Sequence, residues 1–342
     1  RHIYQSPKRG AGFCPLERDA RIILTATLKF AKVLSSKYAE FGSSRVNDDL
    51  ERNHGRKVAR SFIQNVCDAV GAVAFAKESE WEYALPEIEK SIKTISVGLD
   101  GTCMLMMEEG YRQAMVGTIA LFDKDGERQF TLYTAAAPEY GKETFLQRLN
   151  NEVSKMKELY PNAHCVGLAD GAKDTWDFLE TRTDTQIIDF YHVTEYLNKA
   201  SEIMFPGKKN LAKKREWLDN SCHDLKHTPR TPLHLEKELK SFKEKNKQSD
   251  QTEQLQKTIT YLENNKHMMN YPDAVSQNLP IGSGVTEAAG KVIVKQRRCN
   301  AGMKWKKRGA VVVLSLRSLS HTSKRWDRFW KKIDRFGFPV AA

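Results

Sequence analysis

Ile92-Lys93-Thr94-Ile95-Ser96-Val97-Gly98-Leu99-Asp100-Gly101 is the stretch on which the fold turns. Its β-branched and aliphatic residues predict a strand, and Asp100-Gly101 reads as the turn that stops it. Cys103 to Met107 resumes in strand fashion. A second strand is expected over Gln113 to Phe122, then a hairpin turn at Asp123-Lys124-Asp125-Gly126 and a third strand over Gln129 to Ala136. Phe145, Leu149, Val153, Met156 and Leu159 recur at helical spacing, so Pro138 to Tyr160 reads as an amphipathic helix. A fourth strand, His164 to Ala169, ends at Asp170-Gly171. A short helix from Thr175 to Thr181 and a fifth strand from Gln186 to Phe190 follow. The order β-β-β-α-β-α-β predicts an α/β fold built on a mixed sheet with helices on its faces.

Upstream, a helix is expected from Leu16 to Tyr38, a short one from Val46 to about Asn53, and a third through Val58, Phe62, Val66, Val70 and Val73. Gly42-Ser43-Ser44 and His54-Gly55-Arg56 break the pattern between them. Helix, short turn, helix is helix-turn-helix spacing, and the third helix would be the reader. Arg56, Lys57, Arg60, Gln64 and Asn65 are side chains suited to phosphates and base edges. A plain three-helix bundle with solvated polar faces is the simpler alternative. Residues 77–91 read as a linker, dividing residues 1–76 from a first core segment at 92–192. Residues 193–279 are almost strand-free, rich in Lys, Glu, Gln and Asn, and read as an all-helical insertion with helices near 193–205, 210–226, 232–247 and 251–270. Residues 280–342 return to the core and end in a strongly basic, Trp-containing run.

The chain has 342 residues with a formal net charge of +12, an excess that favours a polyanionic partner, nucleic acid being the commonest. No apolar run approaches the ~18 residues of a membrane span, so no membrane partner is expected. The six cysteines form no C-x-x-C pair and suggest reduced thiols in the cytoplasm. The first residue is Arg1, which suggests that the numbering begins inside a longer product.

The chemistry-bearing residues are carboxylates. Asp100 and Asp170 each end a strand-like run, and neighbouring strands would bring them together at one sheet edge. Glu287 opens a helix after Gly282-Ser283-Gly284, with Ser283 as the expected N-cap. Glu287, Lys291, Lys295 and Arg298 recur at helical spacing on one face, while Val285, Ala288, Ala289, Val292 and Ile293 line the other, expected buried face. Three mutually repelling carboxylates suit a pair of Mg²⁺ ions, which bind hard oxygen ligands. Taken one at a time, an Asp-Gly pair is commonly only a turn, and a Glu in a first helical turn only complements the macrodipole. Trp305, beside the basic stripe, reads equally as a base-stacking residue and as a core Trp covering the helix end.

Gly98-Leu99-Asp100-Gly101, Leu168-Ala169-Asp170-Gly171-Ala172 and Gly282-Ser283-Gly284-Val285-Thr286-Glu287 resemble the DDE motifs of bacterial insertion-sequence transposases. The likeness is strongest to the ISKra type and more distant to Mutator-like and hAT elements. It covers essentially the whole chain. Its most specific part is the Glu287 segment with Lys291, Lys295-Gln296-Arg297-Arg298 and Gly302-Met303-Lys304-Trp305. The resemblance implies a ribonuclease-H-like, retroviral-integrase-like core carrying an all-helical insertion and preceded by a helix-turn-helix domain. It implies DNA cleavage and strand transfer at element ends, with Asp100, Asp170 and Glu287 as catalytic metal ligands for two Mg²⁺ (or Mn²⁺) ions. It implies double-stranded DNA as partner, both element ends and target, and a homodimer or higher oligomer on a bacterial nucleoid. Two further readings go with it: a catalytically silent DNA-binding relative, and a nuclease that cuts without joining. Asp189-Phe190-Tyr191-His192 is similar to a (Cys/Asp)-x-x-His motif of such families, which would put His192 near the active site. The sequence departs from the pattern where Val294 occupies the position at which many such enzymes carry a basic residue, and Lys291 and Lys295 would serve instead. The Cys-rich segment that often precedes the core in relatives is represented only by Cys14.

Overall fold

The computed structural model describes residues 3–5, 12, 14–15, 21–78, 80–139, 142–246, 252–298 and 303–338. The expected helix start near Leu16, Cys299, Gly302 and the side chain of Arg298 lie outside them.

After residues 21–27 come three helices, α1 (Leu28–Glu40), α2 (Ser43–His54) and α3 (Arg60–Lys77). α1 begins later than its apolar pattern suggests because Thr27 caps it, accepting a hydrogen bond from the Phe30 N–H. Gly55 closes α2 in the left-handed region at φ 61°, as the Gly signal predicts.

The sheet consists of β1 (Ile92–Met106), β2 (Gly110–Asp123), β3 (Arg128–Ala136), β4 (His164–Ala169) and β5 (Thr185–Ile188), in the order β3-β2-β1-β4-β5. The β1–β2 and β2–β3 pairs are antiparallel, and the β1–β4 and β4–β5 pairs parallel. One expectation fails here. β1 does not stop at Asp100-Gly101 but runs through them, with Asp100 opposite Val116 and Gly101 opposite Met115 on β2. Gly101 is there for space and not for a turn, since a Cβ on it would lie 2.3 Å from the Gln113 amide. What does stop near Asp100 is the parallel neighbour. β4 ends at Ala169, and Gly171 then turns at φ 112°.

Between the strands lie α4 (Glu143–Leu159) and α5 (Lys173–Leu179). β5 is shorter than predicted. Asp189 leaves the sheet and caps α6 (Phe190–Met204), accepting from the Tyr191 N–H at 2.8 Å. The helical block continues as α7 (Leu211–His227), α8 (Thr231–Lys245), α9 (Thr252–Asn265) and α10 (Tyr271–Ser276), close to the expected segments. Tyr271 and Tyr261 fasten it to the sheet by donating to the carbonyls of Ile188 (3.0 Å) and Asp170 (2.9 Å).

The Glu287 helix starts as α11 (Gly284–Ala289), widens into a π-helical turn (Gly290–Lys295) and closes as α12 (Gln296–Arg298). α13 (Lys307–His321) and α14 (Arg325–Phe336) end the described chain. Their apolar faces, Val312, Val313, Leu316, Phe329, Trp330 and Ile333, share a core with α1–α3. The basic run with its tryptophans is thus an amphipathic cover over the N-terminal helices, with Lys306, Lys307, Arg308, Lys324 and Lys331 exposed and Arg317 and Arg325 buried. Among the described residues no helix is long and apolar enough to cross a membrane, and none of the described cysteines forms a disulfide.

Arg317 on α13 is only 1% exposed. Its guanidinium donates to Ile293 O (2.9 Å), Val292 O, Ala39 O (2.7 Å) and Glu40 Oε2 (2.8 Å). It therefore occupies carbonyls of the π turn and of the α1 C-terminus at once. Arg317→Met should cost about 3–5 kcal/mol, because buried acceptors and the Glu40 charge lose their donor. Urea unfolding monitored by circular dichroism would read this as a lowered midpoint.

The bond from His321, followed by Arg317, holds the Glu40 carboxyl down at about 2 from its ordinary 4.5. A depressed acid contributes stability that is present above its unfolded value and is lost as pH falls through the folded one. Stability should therefore decline between about pH 4.5 and 2. Glu40→Gln should flatten that part of the profile in melts run across the window.

Candidate active site

Parallel pairing sets the site. Gly98 on β1 lies opposite Leu168 on β4, so two residues further along each strand Asp100 and Asp170 come to the same edge. The Glu287 helix lies across this edge at close range. A methyl group on Gly98 would come within 2.2 Å of Thr286 Oγ1, and one on Gly290 within 2.9 Å of Thr102 Oγ1. Thr286 Oγ1 bonds Thr118 Oγ1 at 2.7 Å in the interior. The result is a cleft of about 140 Å³ lined by Leu99, Asp100, Ala169, Asp170, Asp189, His192, Ser283 and Glu287, among others. A larger hollow of about 310 Å³ lies beside Glu78, Arg148 and Glu152. Its half-buried carboxylates each pair with an arginine, Glu78 with Arg148 at 2.9 Å and Glu152 with Arg325 at 2.5 Å. The smaller cleft is the better site because its carboxylates face one another.

Those carboxylates form two pairs. Burial pushes the Asp100 carboxyl up, opposed by its bond from the Gly101 N–H (2.6 Å); the Asp170 charge raises it further and Lys295 pulls it back. Asp170 Oδ1 accepts from the Ala172 N–H at 3.2 Å, which fixes the turn after β4. In the second pair, burial raises the Glu287 carboxyl, and Asp189 raises it again through its charge and a shared hydrogen bond. Ser283 joins the two. Its hydroxyl contacts Asp189 Oδ2 and lies 3.3 Å from Glu287 Oε1. Ser283 thus stands at the N-cap position without capping, contrary to expectation, because the buried Asp189 recruits its hydroxyl.

Among the described residues no three His, Cys, Asp or Glu side chains converge closely enough to hold a metal ion. The donor types nonetheless suit a hard divalent cation, since Asp100 and Glu287 are raised by burial and by a like-charged neighbour, and a cation relieves that repulsion.

The supporting residues fall into place unequally. His192 lines the cleft on the first turn of α6, its Nδ1 3.6 Å from Glu195 Oε2 and its ring edge-on to Tyr196 and Tyr261. Lys291 and Lys295 are exposed on the Glu287 side, and Lys295 acts on Asp100. The buried face differs from the expected one. Thr286, Ala289, Gly290, Ile293 and Val294 are buried, whereas Ala288 is exposed and Val285 and Val292 are half-buried. Thr286 faces inward to meet Thr118, which an apolar pattern cannot reveal. Trp305 bridges the end of β1, exchanging backbone bonds of 3.0 Å with Leu105 and Met107. Its half-buried ring packs against two cores, with the Arg297 guanidinium 5.2 Å from its centroid. Arg56, Lys57, Arg60, Gln64 and Asn65 are all exposed around the start of α3, Arg56 also lying 3.8 Å over the Phe30 ring. The carboxylate that motif reading left without a role is Asp189. Its signal was its place just before a helix, the position of an N-cap.

No protein-family model matches this sequence, and no curated protein matches it either.

Gly98→Ala should drive the Glu287 helix off the sheet and lower stability by about 1–3 kcal/mol. The double variant Gly98→Ala/Thr286→Ala should recover part of that loss, because the atom that clashes has gone. Guanidinium melts of both variants check this.

Proposed function

We propose that this protein is a metal-dependent phosphodiester transferase of the DDE type, a transposase that cuts element ends and joins their 3′ ends to target DNA. The observation that carries the reading is the gathering of Asp100, Asp170 and Glu287, from three distant stretches, around one cleft at the β1–β4 edge. The strand order β3-β2-β1-β4-β5, with its antiparallel and parallel halves, supports a ribonuclease-H-like core. The formal charge of +12 supports a nucleic-acid substrate.

Asp100 and Asp170 would hold one divalent ion, Mg²⁺ or Mn²⁺, and Glu287, released from Asp189, would help to hold a second. Bound there, such ions activate a water or a 3′-hydroxyl and stabilise the leaving oxygen. Lys295 draws the scissile phosphate towards Asp100, and Lys291 extends the same exposed stripe. His192 closes the far wall, within reach of a phosphate oxygen. Before an ion binds, Ser283 holds the Glu287 carboxyl beside Asp189. The exposed side chains from Arg56 to Asn65 engage the element end, and two or more copies act together on DNA.

Glu287→Gln keeps size and helix propensity but removes one charge from the site. With duplex bearing the element ends and Mg²⁺ or Mn²⁺, its cleavage should fall on the order of 100-fold or more, while DNA binding persists. Mapping of 3′ ends and joined products reads both steps. A Glu287→Gln protein that cuts at the wild-type rate removes Glu287 from the chemistry. Cut ends without joined products would make the protein a nuclease.

A further inference from the structure

The geometry points to a composite duplex-binding face in which Lys304, Lys306, Lys307 and Arg308 grip the phosphates beside the exposed side of α3. It rests on the reading of the substrate as DNA, and adds a second element to the binding surface that the helix-turn-helix pattern does not contain.

The first observation is adjacency. Arg308 Nε lies 3.7 Å from Asp68 Oδ2. Asp68 stands one helical turn beyond Gln64 and Asn65, so it belongs to their side of α3. One turn further on in both helices, Gly71 meets Val312 so closely that a Cβ on Gly71 would lie 2.5 Å from Val312 Cγ1. The two helices therefore run in the same sense at this crossing. α3 extends ahead of the point where α13 begins, and the cations at the start of α13 flank it. The close contact makes the two helices one rigid unit.

The second observation is charge. Lys304, Lys306, Lys307 and Arg308 are all exposed, Arg308 with 79% of its side chain in solvent. The first turn of α13 contains no acid, so the helix dipole adds to their mutual repulsion. Asp68 is the one carboxylate paired with the group among the described ion pairs, and its own pKa is raised by burial and lowered only in part by Arg308. An exposed knot of like charge that costs folding energy is relieved by a polyanion. The polar Gln64 and Asn65 beside it offer the amide donors and acceptors that base edges take. On this geometry α3 faces a groove while residues 304–308 neutralise the adjoining backbone, the division between reading and positioning contacts seen in duplex recognition generally. The same segment follows the Glu287 helix and is pinned by Trp305 to the end of β1, so the grip on DNA is anchored to the strand that carries Asp100.

The test is fluorescence anisotropy of the full chain with a labelled 30-base-pair duplex across a salt series. Lys306→Gln/Lys307→Gln/Arg308→Gln should bind at least about tenfold more weakly at low salt. Its slope of log affinity against log salt should shrink by about 2–3, near the −0.9 per neutralised phosphate of B-DNA. Lys93→Gln/Lys124→Gln/Lys237→Gln, which removes the same charge from exposed positions elsewhere, should change the slope by less than one. Asp68→Asn should tighten binding several-fold, an effect opposite in sign to any loss from misfolding. Wild-type binding with equal slopes in both triple variants would overturn the composite face and leave the proposed function standing. A wild-type protein that does not bind duplex at all would overturn both.

Discussion

One buried guanidinium holds the molecule together. Arg317 reaches from α13 to the carbonyls of Val292 and Ile293, and from there to Ala39 and Glu40 at the end of α1. A π turn widens the hydrogen-bond ladder and leaves carbonyls poorly served, a cost that persists only when something else supplies donors. Arginine can do this where lysine cannot, since its planar fork presents several N–H groups in fixed directions and stays charged when buried. Arg297 repeats the link on a smaller scale, donating to Phe41 O at 2.9 Å. Two arginines thus tie the corner between α1 and α2 to the Glu287 helix. The N-terminal helices are part of the same packed body as the sheet, and are not hung from it by the 77–91 segment alone.

The other side of the Glu287 helix is fixed by the absence of bulk. Gly98 and Gly290 let the helix backbone approach β1, and the Thr118–Thr286 hydroxyl pair satisfies the polar atoms that this approach buries. The helix is held by donors on one flank and by close contact on the other. Between the two flanks its exposed side carries Glu287, Lys291 and Lys295 past the end of β4. The π turn begins at Gly290, three residues after Glu287, so it sets how Lys295 stands relative to Glu287. In an unbroken α-helix successive residues are separated by about 100°; the wider turn changes the angle between the two, and Lys295 stands where its charge lowers the Asp100 carboxyl.

Much of this was legible in local patterns. Alternation and turn residues located all five strands, and a strand-free, polar composition marked the 193–279 block as helical. Asp100, Asp170 and Glu287 were singled out as one group, and they do line one cleft. What escaped depends on partners distant in sequence. Asp100-Gly101 has the form of a turn, yet β2 pairs with β1 along its whole length and keeps both residues in the strand. Thr286 looks like a surface residue until Thr118 is opposite it. Ser283 looks like a cap until Asp189 is beneath it. Arg317 looks like one more cation in a basic tail, and nothing local distinguishes it from the exposed Arg308. The last three cases are polar side chains whose role is decided by a partner more than about 90 residues away, which no periodicity carries.

The helical block also bears on the cleft, from behind. Tyr261 on α9 donates to the carbonyl of Asp170, and Tyr271 on α10 to that of Ile188, the residue before Asp189. The backbone turns that present one aspartate of each pair are therefore held by hydroxyls from the block. Tyr261 is itself stacked on Tyr196 at 4.0 Å, and His192 stands edge-on to both rings. A shift of α9 against α6 would move His192, Asp170 and the aromatic pair together. The residues between β5 and the Glu287 helix are then a second wall of the cleft, which explains why a helical segment of this length can interrupt the core without loosening it. Each carboxylate pair therefore spans two supports, with Asp170 and Asp189 held by the block and Asp100 and Glu287 by the sheet and the Arg317 anchorage. The separation within each pair is therefore a matter of how the block seats against the sheet.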